Sequence, residues 1–288
     1  MKRKTRSEHR KSEGPESDPV HRLGTPQASS LNRIHGVNPV LEALRSGRRS
    51  IEHIAIAEGA RDKRLRELLE LARSSNVPVR RVSLQELERD GGNLTHQGVI
   101  ARIAAAQYAD AEALLDELAS QVAANRAPLA LCLDGLEDPR NFGAVLRTAE
   151  CAGVRAVFTT ERRAVGLTET AAKAAAGALE YIRVARVVNL SRLIEQLKER
   201  NIWVVGTAGN AAREYTDWDW TQPTAVFVGN EGTGLHRLVR ERCDLLVRIP
   251  TAGHLESLNV SVATGVVLYE ALRQRRIAGE RGQLSRPE

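Results

Sequence analysis

From Arg33 onward, short apolar runs alternate with stretches in which apolar residues recur every three or four positions. The runs are of strand length, and the three-to-four spacing is that of a helix with one buried face. In the first block NPVLEALRSG (38–47) predicts a helix, with Asn38 as its cap, Pro39 at the first helical position and Gly47 just past the end. HIAIAE (53–58) predicts a strand, RDKRLRELLELARSS (61–75) an amphipathic helix and VPVRRV (77–82) a second strand. Ser83 and Glu86 form a capping box for a helix over SLQELERD, and HQGVIARIA (96–104) closes the block as a strand. The result is a small α/β unit over 31–107.

QYADAEALLDELASQVAANRAP predicts a helical linker over 108–126, and beyond it strands and helices alternate on a parallel-sheet rhythm. The strands are LALCLDGL (129–136), RAVFTT (155–160), IRVARV (182–187), IWVVGTA (202–208), TAVFVGN (224–230) and DLLVRIP (244–250). They define an α/β domain over 127–278, followed by a tail at 279–288. Residues 1–30 mix charge with Ser, Pro, Gly and Gln and have no periodicity, which predicts a disordered arm.

Composition sharpens this in two places. Residues 1–30 carry 7 basic and 4 acidic side chains, 31–107 carry 13 and 9, and 108–288 carry 22 and 23, so the whole positive excess lies in the first third. That is the footprint of a polyanion-binding module beside a nearly neutral domain. The basic start MKRKTRSEHRKSEG lacks the apolar core of a signal peptide, and no segment reaches the roughly 20 apolar residues of a membrane span, so a cytoplasmic protein is expected. Cys132, Cys151 and Cys243 are three and far apart, which fits neither a disulfide framework nor a zinc site, and no metal is expected.

In open α/β sheets ligands collect beyond the carboxyl ends of the strands. Three such segments stand out. In LDGLEDPRNFGAVLRTAECAG a strand ends at Asp134, Asn141 starts a helix, and Asn141, Gly143 and Arg147 have the spacing N-x-G-x-x-x-R. Gly143 would let a ligand or another chain approach the backbone, whereas Arg147 alone reads as an ordinary solvated position. VFVGNEGTGL leaves an apolar strand through Gly229, Asn230, Glu231, Gly232 and Gly234; it is neither a P-loop nor a dinucleotide fingerprint, but its glycines suit backbone contact with a flat ligand. IPTAGHLESLNVSVATGVVLYEALRQRR turns into a long helix, with Ser257, Ser261, Thr264 and Gly265 near one stripe and Val260, Ala263 and Val267 on another.

In that order the three segments resemble motifs 1, 2 and 3 of the SpoU/TrmH branch of the SPOUT methyltransferases. The matching residues are Asn141, Gly143 and Arg147; Gly229, Glu231, Gly232, Gly234 and Leu235; and Ile249, Pro250, Ser257, Leu258, Asn259 and Ser261. The block from IHGVNPVLEAL to LTHQGVIARI resembles the L30e-like substrate-binding domain of the bacterial 23S rRNA guanosine-2′-O-methyltransferases. The resemblance implies a trefoil-knotted, mostly parallel-sheet domain whose last helix threads the loop after motif 2. It implies S-adenosylmethionine as cofactor, held at Gly209, Gly229, Ile249, Leu258 and Asn259, and 23S rRNA as partner. It implies catalytic roles for Arg147, Asn141, Glu231, Asn259 and Ser257, with the last four fixing Arg147 and the ribose, and a homodimer. The turn with His254, Leu255 and Glu256 departs from the smaller residues common in relatives. A tRNA enzyme, a resistance-type rRNA methyltransferase and a catalytically silent ribosome-assembly factor are the alternative readings.

Overall fold

The structure, a computed structural model, describes residues 33–91, 96–104, 106–255 and 257–284. The arm expected over 1–30, Glu256 and residues 285–288 lie outside the described residues. The first unit comprises β1 (Arg33–His35), α1 (Val37–Ser46), β2 (Ile51–Ala57), α2 (Leu65–Ser74), β3 (Val79–Val82), α3 (Leu84–Gly91) and β4 (Val99–Ile103). The rest comprises α4 (Ala111–Ala123), β5 (Leu129–Asp134), α5 (Pro139–Cys151), β6 (Ala156–Thr160), α6 (Glu169–Ala175), a 3-10 turn at Ala178–Glu180 and β7 (Val184–Val187). It continues through α7 (Leu190–Glu199), β8 (Trp203–Thr207), β9 (Arg213–Glu214), β10 (Thr224–Gly229), α8 (Arg237–Arg242), β11 (Leu245–Arg248) and α9 (Val260–Leu284).

The smaller sheet has the order β1-β4-β2-β3, with only β2 and β3 parallel. Strand alternation sends Ile54, Ile56, Val99 and Ala101 toward α1 and α2, and Ala55, Ala57 and Ile100 toward Leu87 of α3. Gly47 ends α1 in the left-handed conformation (φ 60°) as its position predicts, but Gly36 stands at the start. Asn38 lies one residue inside the helix and its Oδ1 accepts from Arg64 (2.8 Å) instead of capping. Ser83 does cap α3, accepting from the Glu86 N–H at 3.2 Å.

The larger sheet, β7-β6-β5-β10-β8-β11-β9, is parallel at every pairing. Both faces are covered, so its central strands β5 and β10 are almost continuously apolar. Leu129, Leu131 and Leu133 of β5 join the core under α5, α6 and α9, and Ala130 and Cys132 join the core under α4 and α7. The expected linker helix is part of this second core, because Leu114, Leu115 and Leu118 of α4 are each 1% exposed. Full burial of each contributes about 1.5–3 kcal/mol, so α4 belongs to the domain and is no free connector. The expected tail is likewise helical as far as Leu284. The two units meet through a buried ion pair, Arg49–Glu180 at 2.8 Å, and through Tyr181, whose hydroxyl donates to Glu42 Oε2 at 2.6 Å. Burial raises the Glu180 carboxyl pKa, and Arg49 opposes the shift.

Candidate active site at the carboxyl ends of the larger sheet

Strand order reverses at β5: β6 and β7 extend to one side, while β10 lies on the other. A crevice forms at such a switch point, and Gly229 of β10 pairs directly with Asp134 of β5. The loops predicted as the first and second motifs therefore leave the sheet side by side.

Asn230 folds the second loop. Its Oδ1 accepts from the Gly232 N–H (3.0 Å), the Thr233 N–H (2.8 Å) and the Thr233 hydroxyl (3.1 Å), and Gly234 follows at φ 66°. The return is so tight that a Cβ on Gly229 would fall 2.0 Å from the Gly234 carbonyl carbon. Asp134, 3% exposed, then ties the loop to β5 by accepting from the His236 N–H (2.7 Å) and from His236 Nδ1 (2.8 Å). This Asp134–His236 clamp was not singled out from the sequence. Its signal is an acidic residue ending an otherwise apolar strand at the switch point.

On the facing helix, Asp138 is the cap, accepting from the N–H groups of Arg140 (2.7 Å) and Asn141 (2.8 Å), with Pro139 first in the helix. Asn141 thus stands inside α5 and does not start it. Its amide is free for other partners: Nδ2 donates to Glu231 Oε1, and Oδ1 accepts from Asn259 Nδ2 at 3.1 Å. Asn259 in turn caps α9, its Oδ1 accepting from the Ser261 N–H (2.9 Å) and hydroxyl (2.6 Å). One hydrogen-bonded chain, Asn259–Asn141–Glu231, therefore joins residues from all three motifs.

Arg147 is outside that chain, contrary to the expectation that these side chains fix it. Six residues at about 100° each place it some 120° around α5 from Asn141. It lies on the exposed stripe with Arg140 and Cys151 and makes no hydrogen bond or ion pair among the described residues. Gly143 serves helix packing, since a Cβ there would come within 2.3 Å of the Ala171 carbonyl oxygen of α6. Gly265 has room for a methyl group, so close passage is not what selects it.

A cavity of about 700 Å³ opens beside the chain, between the ends of β8, β10 and β11 and the start of α9. Gly209, Gly229, Ile249 and Leu258 all line it, together with Ser257 and Glu231; Asn259 stands outside its wall, at the hydrogen-bonded chain. Among the described residues no group of three or more His, Cys, Asp or Glu could hold a metal ion, and no helix is long and apolar enough to cross a membrane.

The SpoU rRNA Methylase family matches residues 128–269, and the RNA 2′-O ribose methyltransferase substrate-binding family matches 33–109. A Pseudomonas syringae pv. tomato protein named 23S rRNA (guanosine-2′-O-)-methyltransferase RlmB is 45% identical over 249 residues, covering 86% of this chain and 97% of its own. The chain belongs to the SpoU rRNA methylase family. A second relative, the Bacillus subtilis putative TrmH family tRNA/rRNA methyltransferase YacO, is 42% identical over 247 residues, covering 86% of this chain and 97% of its own. Among solved structures, the SpoU methyltransferase AviRb from Streptomyces viridochromogenes, in complex with the cofactor AdoMet, aligns with TM-score 0.69 at 26% identity, covering 86% of this chain and 91% of its own.

Proposed function

We propose that the protein transfers a methyl group from S-adenosylmethionine to the ribose 2′-hydroxyl of a guanosine in 23S rRNA. The observation that carries this reading is the Asn259–Asn141–Glu231 chain beside a cavity lined by Gly209, Gly229, Ile249 and Leu258. The cavity suits the cofactor: it is of ligand size, and Gly209, Gly229, Gly232 and Gly234 in its wall leave the backbone open to a flat ligand. Backbone groups at Gly229, Ile249 and Leu258 hold the cofactor, which supplies a methyl group already activated on a sulfonium.

The chain's own residues then position and stabilise. Asn141 and Asn259 hold Glu231 and the ribose in register, and Ser257 borders the cofactor. The exposed Arg147 guanidinium orients the attacking hydroxyl and stabilises the negative charge that develops on it. A guanidinium keeps its proton in proteins, so Arg147 is not the base, and an RNA phosphate or water accepts the proton. Residues 31–107 form the L30e-like domain that receives RNA, a reading supported by the substrate-binding family match and by the basic excess of the first third. The last helix threads the loop after β10 to close the trefoil knot. A homodimer forms across α9, whose Val262 and Tyr269 are half exposed.

A tRNA substrate is the second reading, favoured by the tRNA/rRNA name of the Bacillus relative. Mapping 2′-O-methyl positions in total RNA from cells with and without the gene decides between them. Loss of one 23S guanosine methylation is expected. Loss confined to a tRNA position transfers the reading to tRNA, and no change in either contradicts it.

A further inference from the structure

Three charged side chains line the cavity among the described residues: Glu231 in the loop after β10, Arg240 on α8 and Arg248 at the end of β11. Their surroundings differ. Glu231 is turned toward α5 by Asn141. Arg248 has the Glu214 carboxylate 3.6 Å away to offset its charge. Arg240 has no carboxylate partner among the described residues; its Nη2 donates to the neutral Asn210 Oδ1 at 2.7 Å. Asn210 follows Gly209 on the loop leaving β8, so this bond spans the wall from α8 to the cofactor loop.

An amide oxygen orients a guanidinium without neutralising it, and one bond to Nη2 leaves the remaining N–H donors of the planar fork available. Arg248 adds a second guanidinium to the same wall, its charge partly offset by Glu214. Such a wall favours an anion. S-adenosylmethionine carries one, the carboxylate of its methionyl group, opposite in sign to its sulfonium and ammonium. Glu231 belongs to the acceptor-ribose end through Asn141, which leaves the arginine wall for the carboxylate.

We infer that Arg240, positioned by Asn210, binds the methionyl carboxylate and so selects ligands that keep the intact amino-acid group. This rests on the methyltransferase reading of the cavity. It predicts discrimination between S-adenosylhomocysteine and its decarboxylated analogue, which share the adenosine and the thioether.

Calorimetric titration of the full chain with each ligand tests it. The wild-type protein binds S-adenosylhomocysteine tighter than the analogue by about tenfold to a hundredfold, as loss of a charge-assisted hydrogen bond implies. Arg240→Gln removes that preference by weakening S-adenosylhomocysteine alone, leaving the analogue within about threefold of its wild-type affinity. Arg240→Lys recovers part of the preference. Arg237→Gln removes the same charge from the same helix, where Arg237 pairs with Glu241 outside the cavity wall, and leaves both affinities unchanged. Equal wild-type affinity for the two ligands overturns the inference, as does an Arg240→Gln variant that weakens both in the same proportion. A wild-type protein that binds neither overturns the cofactor reading itself.

Discussion

At the amino ends of β5 and β10, Arg275 of α9 donates to the main-chain carbonyls of Ala127 (2.5 Å), Trp220 (2.8 Å) and Gln222 (3.1 Å). Gln274 beside it accepts from the Trp220 N–H at 3.0 Å, and Trp220 is fully buried. At the carboxyl ends of the same strands, Asn141, Glu231 and Asn259 bond to one another, and none is fully buried. Both ends join segments far apart in sequence. At the amino end the bonded partners are main-chain groups, and apart from the Gln222 carbonyl, which also accepts from the Thr224 hydroxyl, they have no other partner among the described residues, so losing a side chain there destabilises the fold. At the carboxyl end the partners are water-accessible side chains. On the proposed reading of the site, losing one there should leave the fold standing and slow methyl transfer.

Arg275→Ala is the largest expected break in this contrast. It strands the Ala127 and Trp220 carbonyls, leaves the Gln222 carbonyl with the Thr224 hydroxyl alone (2.9 Å), and removes a guanidinium whose pKa burial has lowered to about 10. Urea unfolding should report a loss of about 3–5 kcal/mol, since each stranded carbonyl costs about 1–3 kcal/mol, with the remaining folded protein turning over near the wild-type rate. Arg147→Ala should do the reverse. Unfolding is unchanged, while single-turnover methylation slows roughly 100- to 1000-fold, or about 2.7–4 kcal/mol in the barrier, and cofactor affinity is retained.

His35 of the smaller unit provides a pH contrast between two kinds of buried polar group. Burial first, then the nearby Arg33 and Lys173 charges, hold its pKa down at about 4, and neither ring nitrogen has a hydrogen-bond partner. The folded state therefore resists a proton that the unfolded state accepts. Stability is unaffected by this group above about pH 6.5 and falls as pH drops from there toward about 4, by up to about 3 kcal/mol. His35→Phe should abolish that part of the acid sensitivity in denaturation series run across this range. A smaller effect is expected at Asp134→Asn, which keeps an acceptor for the His236 N–H but loses the charge facing Nδ1. Slackening the second loop should slow methylation by about tenfold while shifting stability by about 1 kcal/mol. A variant that unfolds without a change in rate would assign the clamp to the fold alone.

The strands of the larger sheet were legible because burial on both faces writes them as continuous apolar runs, and the sites follow from where those runs stop. Strands β1 and β9 are three and two residues long, too short to show a period. Asp138-Pro139 marks the start of α5 in the sequence three residues before Asn141, and a helix begun at Asn141 would keep its amide as a cap, whereas the structure releases it for tertiary bonding. The motif spacing sets Arg147 some 120° around the helix from Asn141, but it does not say which of the two faces the other motifs. Gly143 reads as a close approach to the backbone by a ligand or another chain; the occupant is α6, and it is not legible because the segment 28 residues ahead that fills the space has no local signature. The hydrogen bond from Asn141 to Glu231 spans 90 residues, and only the pairing of Asp134 with Gly229 makes it possible.

Single-turnover methylation of a 23S rRNA fragment by Asn141→Ala tests the account most directly, with cofactor affinity and the urea midpoint measured on the same preparation. Asn141 is the one side chain bonded to both Glu231 and Asn259, so its loss should slow methyl transfer by about 100-fold or more. The cofactor affinity should stay within about threefold and the stability within about 1 kcal/mol of wild type, since the cavity wall and the core are untouched. A variant that methylates within about threefold of the wild-type rate, or that loses its rate only in proportion to its folded fraction, would contradict the claim that this chain of three motifs runs the reaction.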